Sequence, residues 1–180
     1  VIYPRCFKGD IRKIYAQGEV FLEVAHDKKH PFIVESDDFK LQVLGTKFNI
    51  SNYKGGATNI VLVEGAVEVT DKNEKKARLN PNDLLNIANG TIAYQKQVDV
   101  AEYISWVEGI MLLNGNDLSQ IIQRLSIYYG ISIQCDPIIG KEKVYGKLDL
   151  KDDIDEVIEC IQQTLPFTIE KSDTSIYLNK

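Results

Sequence analysis

Residues 117–133 read DLSQIIQRLSIYYGISI, and residues 153–169 read DIDEVIECIQQTLPFTI. Laid over one another at a shift of 36 positions, Asp117 falls on Asp153, Leu118 on Ile154, Ile121 on Val157, Ile122 on Ile158 and Leu125 on Ile161. Tyr129 then falls on Leu165, Ile131 on Phe167 and Ile133 on Ile169. In each copy the apolar spacing changes from helical to a period of two, so each predicts a helix running into a strand. The chain therefore carries a duplicated supersecondary unit, and its helix stripes need a sheet to cover them, which two copies sharing one sheet would supply. No catalytic group sits at matching positions, the matched Asp117 and Asp153 being cap candidates, which points to a binding module before an enzyme.

Outward from the repeat, the spacing predicts strands over 109–113, 131–135, 143–149, 167–171 and 174–179, with helices over 117–129 and 153–165. Asn116-Asp117 and Asp152-Asp153 stand where N-caps satisfy free N–H groups and suit the positive helix end. Gly130 and Pro166 stop the helices. Upstream, alternation recurs over Glu19–Val24, Phe32–Val34, Leu41–Leu44, Phe48–Ile50, Ile60–Val63, Ala66–Thr70 and Leu84–Ile87. Turn signals separate these runs: Asp27-Lys28-Lys29, Glu35 to Asp38, Lys54-Gly55-Gly56, Asp71 to Lys76, Asn80 to Asp83, and Asn89-Gly90, the preferred type I′ hairpin pair. Phe21, Val24, Phe32, Val34 and Phe48 are the expected interior. The predicted class is mainly β plus α+β: an N-terminal all-β sandwich or roll over residues 1–102, then a small duplicated βαβ module over 103–180.

Composition narrows the function. The 180 residues are 44% apolar and 26% charged, with five prolines and a net charge of -5, which fits globular domains and disfavours phosphate-backbone binding. Lys72, Lys75 and Lys76 with Asp71 and Glu74 read as a solvated hairpin tip. The three cysteines, Cys6, Cys135 and Cys160, are too scattered for a disulfide framework or a zinc site, and Cys135 and Cys160 read as buried structural thiols. His26-Asp27-Lys28-Lys29-His30 has the i, i+4 histidine spacing of helical zinc motifs, but it follows a strand and meets Pro31, so a turn is expected. With two histidines in the chain a nucleophile would lack its base, and no cofactor or metal is expected. No run of about 18 apolar residues occurs. Val1 opens in strand-like text, so the chain reads as a piece of a longer protein. Asn49-Ile50-Ser51 and Asn89-Gly90-Thr91 match the glycosylation pattern but read as strand and turn.

Two family resemblances follow. Val63 to Val69 followed by Leu79 to Leu85 is similar to the second half of cupins, without their paired metal histidines, which leaves a metal-free ligand-binding roll as the alternative. The broader resemblance rests on four pieces: Gly18 to Val24, Pro31 to Val34, Val43-Leu44-Gly45-Thr46-Lys47-Phe48-Asn49-Ile50, and Val63-Glu64-Gly65-Ala66-Val67-Glu68-Val69. Their order, with Trp106 to Arg124 and the repeat behind it, resembles the periplasmic region of FecR-family anti-sigma factors of the Bacteroidetes type, from about residue 11 onward. The second half is similar to the short N-terminal domain of secretins and TonB-dependent transporters. Asn82, where the family often has glycine, and Asn114, where an aromatic residue is frequent, depart from the pattern.

The resemblance implies a relay. The chain would receive, at the periplasmic face of the inner membrane, the signalling domain of a TonB-dependent transporter. It would act on a sigma factor through a membrane helix and a cytoplasmic segment outside this sequence. Partner binding is expected by strand addition at an open edge, formed by Val144, Tyr145, Lys147 and Leu148 or by Ser175, Ile176, Tyr177 and Leu178.

Overall fold

Ten strands in the first half alternate apolar and polar residues in short runs, which can bury one face each only by stacking two sheets. The chain folds in this way. β1 (Arg12–Tyr15), β3 (Phe32–Glu35), β4 (Phe39–Val43), β7 (Val67–Asp71) and β8 (Lys76–Leu79) form one five-stranded sheet in the order β1-β3-β4-β7-β8. β2 (Gly18–Val24), β5 (Thr46–Asn52), β6 (Thr58–Glu64), β9 (Asp83–Ala88) and β10 (Thr91–Gln97) form the other, in the order β10-β9-β6-β5-β2. All neighbours are antiparallel except β1 with β3. The structure, a computed structural model, describes residues 1–7, 9–53, 56–172 and 174–180; Lys54 and Gly55 of the predicted Lys54-Gly55-Gly56 break lie outside them. Contacts divide the chain into two compact units, Val1–Ile104 and Ser105–Lys180.

In the first unit, Leu41, Val43, Val67, Val69 and Leu79 of one sheet meet Phe48, Ile50, Ile60, Leu62 and Leu85 of the other in a single buried cluster. Each such side chain contributes about 1.5–3 kcal/mol relative to exposure. Of the expected interior, Phe32, Val34 and Phe48 are buried and Val24 packs against them. Phe21 does not join them: Val20 and Leu22 flank it on the inner face, and pleating sends Phe21 to the other side.

The turns carry their chemistry in the backbone. Asn89 and Gly90 have φ of +52° and +75°, the two left-handed residues that a type I′ turn needs between β9 and β10. Asn82 sits at +71°, so it stands in for glycine as the residue that best tolerates that region. Gly65, at +93°, leaves room for the Gly45 carbonyl, which would lie 2.8 Å from any Cβ there.

In the second unit the sequence runs β11 (Ile110–Asp117), α2 (Leu118–Tyr129), β12 (Ser132–Cys135), β13 (Lys143–Asp149), α3 (Ile154–Gln162), β14 (Thr168–Lys171) and β15 (Ser175–Asn179); α1 (Ala101–Ile104) and a 3-10 turn (Ser105–Glu108) precede it. The repeat is thus realised as helix-to-strand twice. The trailing strands of the two copies share one sheet, β12 and β14 on either side of β15, but the module as a whole has two sheets, because the leading strands β11 and β13 pair apart from it. β15, outside the repeat, supplies the centre of the shared sheet. Leu118, Ile121, Ile122 and Leu125 of α2 and Val157, Ile158 and Ile161 of α3 join Met111, Leu113, Val144, Leu148, Ile133, Ile176 and Leu178 in one core.

Candidate partner-binding site

The two predicted edge segments have different fates. β15 lies between β12 and β14, with Ile133 opposite Ile176 on one side and Lys171 opposite Ile176 on the other. Ser175, Ile176, Tyr177 and Leu178 therefore offer no free backbone to an added strand, which overturns their assignment as an edge. Ile176 and Leu178 are buried core, and Tyr177 is partly exposed on the outer face. Alternation shows that a strand exists and which face it buries; it does not show where the strand stands in its sheet, and the parallel β12–β15 pairing crosses the second repeat copy.

β13 pairs on one side only, with β11. Two backbone bonds fix which of its groups are used: Leu118 N–H donates to Glu142 O at 2.9 Å, and Leu150 N–H to Gly109 O at 2.7 Å. Antiparallel pairing alternates, so even-numbered residues from 142 to 150 turn their N–H and C=O toward β11. The register agrees, with Leu148 opposite Met111 and Gly146 opposite Leu113, and the bulge at Asn114–Asn116 on β11 absorbs the odd residue. Lys143, Tyr145, Lys147 and Asp149 consequently direct their backbone groups to the open side. Val144 and Leu148 fill the core, whereas Tyr145 is 68% exposed and Lys147 is exposed. Tyr145 leans over Gly115 of β11; a Cβ on Gly115 would stand 2.8 Å from the Tyr145 hydroxyl.

Elsewhere the polar groups are committed to holding the fold. Arg12 Nε donates to His30 O at 2.9 Å and its Nη atoms reach Ala25 O at 3.2 Å, closing the loop that holds the two histidines. Asp27 accepts from the Lys29 and His30 N–H groups at 2.9 and 3.2 Å and pairs with His30 Nδ1 at 2.7 Å, so this segment is a turn, and the His30 contact lowers the Asp27 pKa. Asp71, expected at a solvated tip, is buried: Oδ1 accepts from Asn73 and Lys75 N–H at 2.8 and 3.0 Å, and Oδ2 from Ile92 N–H at 3.0 Å. The Ile92 bond leads the causes that hold its pKa below the usual carboxylate value. Asp83 anchors the far end of β10, accepting from Asn80 N–H at 2.7 Å, Gln95 Nε2 at 2.9 Å and the Gln97 amide. A carboxylate beside a turn, two to twenty-one residues from its donors, gave no signal in the sequence.

Cys160 is exposed, against expectation, because it lies two residues past Ile158 and so about 200° around α3 from it. Cys135 is half-buried, which pushes its thiol pKa up, and Cys6 is exposed. Two clefts of the first unit, about 440 Å³ each, are surface grooves; one is lined by Glu35, Asp37, Asp38, Asp71, Lys72 and their neighbours, and a contiguous cluster of apolar side chains packs between the sheets. Among the described residues no grouping of His, Cys, Asp and Glu could hold a metal, and no helix is long and apolar enough to cross a membrane.

A β-sandwich followed by an α+β unit, without a metal grouping among the described residues, is the frame into which the comparisons fall. The pattern described as FecR protein matches residues 7–68, and that described as FecR, C-terminal, matches residues 110–178. Two crystal structures of a protein from Parabacteroides distasonis ATCC 8503, described as an anti-sigma factor, are similar over 99% of this chain and 84% of theirs at 31% identity, with TM-scores of 0.83 and 0.82. No curated protein matches. The chain belongs to the FecR family of anti-sigma factors.

Proposed function

We propose that this chain is the signal-receiving part of its anti-sigma factor. Residues 1–102 serve as the FecR-type β domain and residues 103–180 as a secretin- and TonB-type short domain. It takes the signalling domain of a TonB-dependent transporter on the periplasmic side and passes nutrient status through a membrane helix to an extracytoplasmic-function sigma factor. The helix and the sigma-binding segment stand outside this sequence. The observation that carries the reading is the open side of β13, where Lys143, Tyr145, Lys147 and Asp149 present unused backbone groups beside a buried, well-packed inner face. Such an edge extends by accepting one more strand. The apolar cluster packed between the sheets of the sandwich gives no comparable support to a ligand-binding roll.

The test is calorimetric titration of the 180-residue chain with the transporter signalling domain encoded beside it. Saturable binding is expected, and Tyr145→Pro, which removes an outward N–H and no ladder bond within the fold, should abolish it while leaving the thermal melt cooperative. Undiminished binding by Tyr145→Pro, or none by the parent chain with both proteins folded, overturns the reading.

A further inference from the structure

The net charge of the molecule is carried by one unit. Residues 1–104 hold fourteen basic and fourteen acidic residues, and residues 105–180 hold seven basic and twelve acidic, a net of -5. Within that acidic unit the lysines are not spread evenly: Lys141, Lys143, Lys147 and Lys151, four of its seven basic residues, stand on β13 or within two residues of its ends. Among the described residues only Lys143 of the four makes an ion pair, to Asp117 at 3.0 Å. Two acidic residues, Glu142 and Asp149, stand there with the lysines, and others lie at the start of and along α3, where Asp153, Asp155, Glu156 and Glu159 are exposed. The face beside the lysines is apolar. Leu112 of β11 stands opposite Lys147 and is half-buried, and Tyr145 is exposed next to it.

From this juxtaposition we infer that the open side of β13 selects an acidic partner strand. Its carboxylates lie beside Lys147 and Lys141, and its apolar side chains extend the Leu112–Tyr145 face. The inference rests on the proposed use of the β13 edge and goes beyond it by fixing the chemistry of what is bound. Backbone pairing supplies attachment to any extended chain, and charge supplies the choice, because like charges set side by side at such an edge are strongly disfavoured. Edge lysines can also act only as guards that repel every incoming strand, and the experiment separates the two roles.

Two extended peptides of about eight residues serve as probes, one alternating Glu with Val and one alternating Lys with Val, at concentrations up to about 1 mM, the regime of a weak single-strand contact. Amide chemical shifts of the isotope-labelled 180-residue chain are followed by NMR. The expected result is that the acidic peptide moves the amides of Lys143, Tyr145, Lys147 and Asp149, and the basic peptide does not. Lys147→Glu should weaken that response about tenfold, and adding salt should weaken it in the parent. Equal response to both peptides, response to neither, or movement confined to other strands overturns the inference. The transporter titration reports separately: binding abolished by Tyr145→Pro but unchanged by Lys147→Glu keeps the edge and removes the acidic partner.

Discussion

The two copies of the repeat share a pattern but not a fate. In the first, Ile133 of β12 is 6% exposed and packs in the core; its counterpart Ile169 of β14 is 38% exposed, and no residue of β14 is buried. In the first, Asp117 precedes the helix without bonding its N–H groups and pairs with Lys143 instead; in the second, Asp153 accepts from Asp155 N–H at 3.0 Å and closes a capping box with Glu156. In the first, the helix ends on a left-handed Gly130 and Tyr129 reaches beyond its copy, donating to Leu150 O at 3.1 Å and Asp152 O at 3.0 Å; Leu165 at the matching position has no such group. Duplication thus supplied two helices with equivalent stripes and two trailing strands that flank β15 as the edges of one sheet, and these two edges differ in burial.

That comparison can be broken most severely through what the copies share. Ile121→Asp and Ile158→Asp each place a carboxylate in the common core and should cost about 4 kcal/mol or more, enough to unfold the second unit in either case. Circular dichroism melts showing that one variant unfolds and the other does not would mean that the copies have separate cores. Next comes the trailing-strand pair. Ile133→Ala should lose about 2–4 kcal/mol in urea unfolding, whereas Ile169→Ala should lose less than about 1 kcal/mol, and equal losses would show that β14 is as buried as β12.

Tyr129→Phe should cost about 1 kcal/mol at neutral pH by stranding two carbonyls. Burial, followed by Tyr128 and the nearby Asp152, Asp149 and Asp153, raises the Tyr129 pKa above 10.0. The folded state therefore holds the phenol proton more tightly than the unfolded chain does. This contribution is complete below pH 10 and is lost as pH climbs through the folded value. Alkaline melts of the parent should fall away faster than those of Tyr129→Phe, and parallel curves would remove the linkage. The smallest contrast is at the caps: about 1 kcal/mol for Asp153→Ala and a few tenths for Asp117→Ala, whose exposed ion pair to Lys143 is worth little. Comparable losses, read by hydrogen exchange in α2 and α3, would contradict the difference in cap geometry.

Much of the fold was legible because it is periodic. The 3.6-to-2 change in spacing placed α2 and β12 nearly to the residue and the start of α3, which ends at Gln162 before reaching Pro166; alternation placed β13, and Asn89-Gly90 announced the β9–β10 hairpin through its need for two left-handed residues. β1, β8 and β10 left weaker traces, since their burial is one-sided or almost nil: of the seven residues of β10, Ile92 alone is not exposed. Of the two expected edge segments, one is a strand open on one side and the other is central. Val144-Tyr145-Gly146-Lys147-Leu148 shows its alternation and its lysines in the text, so β13 could be named. Strand order is a property of long-range pairing, and nothing in Ser175-Ile176-Tyr177-Leu178 distinguishes a central strand from an edge. Asp71 and Asp83 were missed because a buried carboxylate satisfied by backbone N–H groups has the same one-letter text as a solvated one.

The position of β15 sets a timetable. Residues 110–171 leave the ribosome before the strand that joins β12 to β14, so Ile133 and Phe167 wait without their cover until residues 175–179 have been made. A chain halted at residue 174 would carry both helices and both copies of the repeat and still lack the middle of a sheet. Its apolar stripes would be open to proteases and chaperones. The core of this unit therefore closes only when residues 175–179 take their place between β12 and β14.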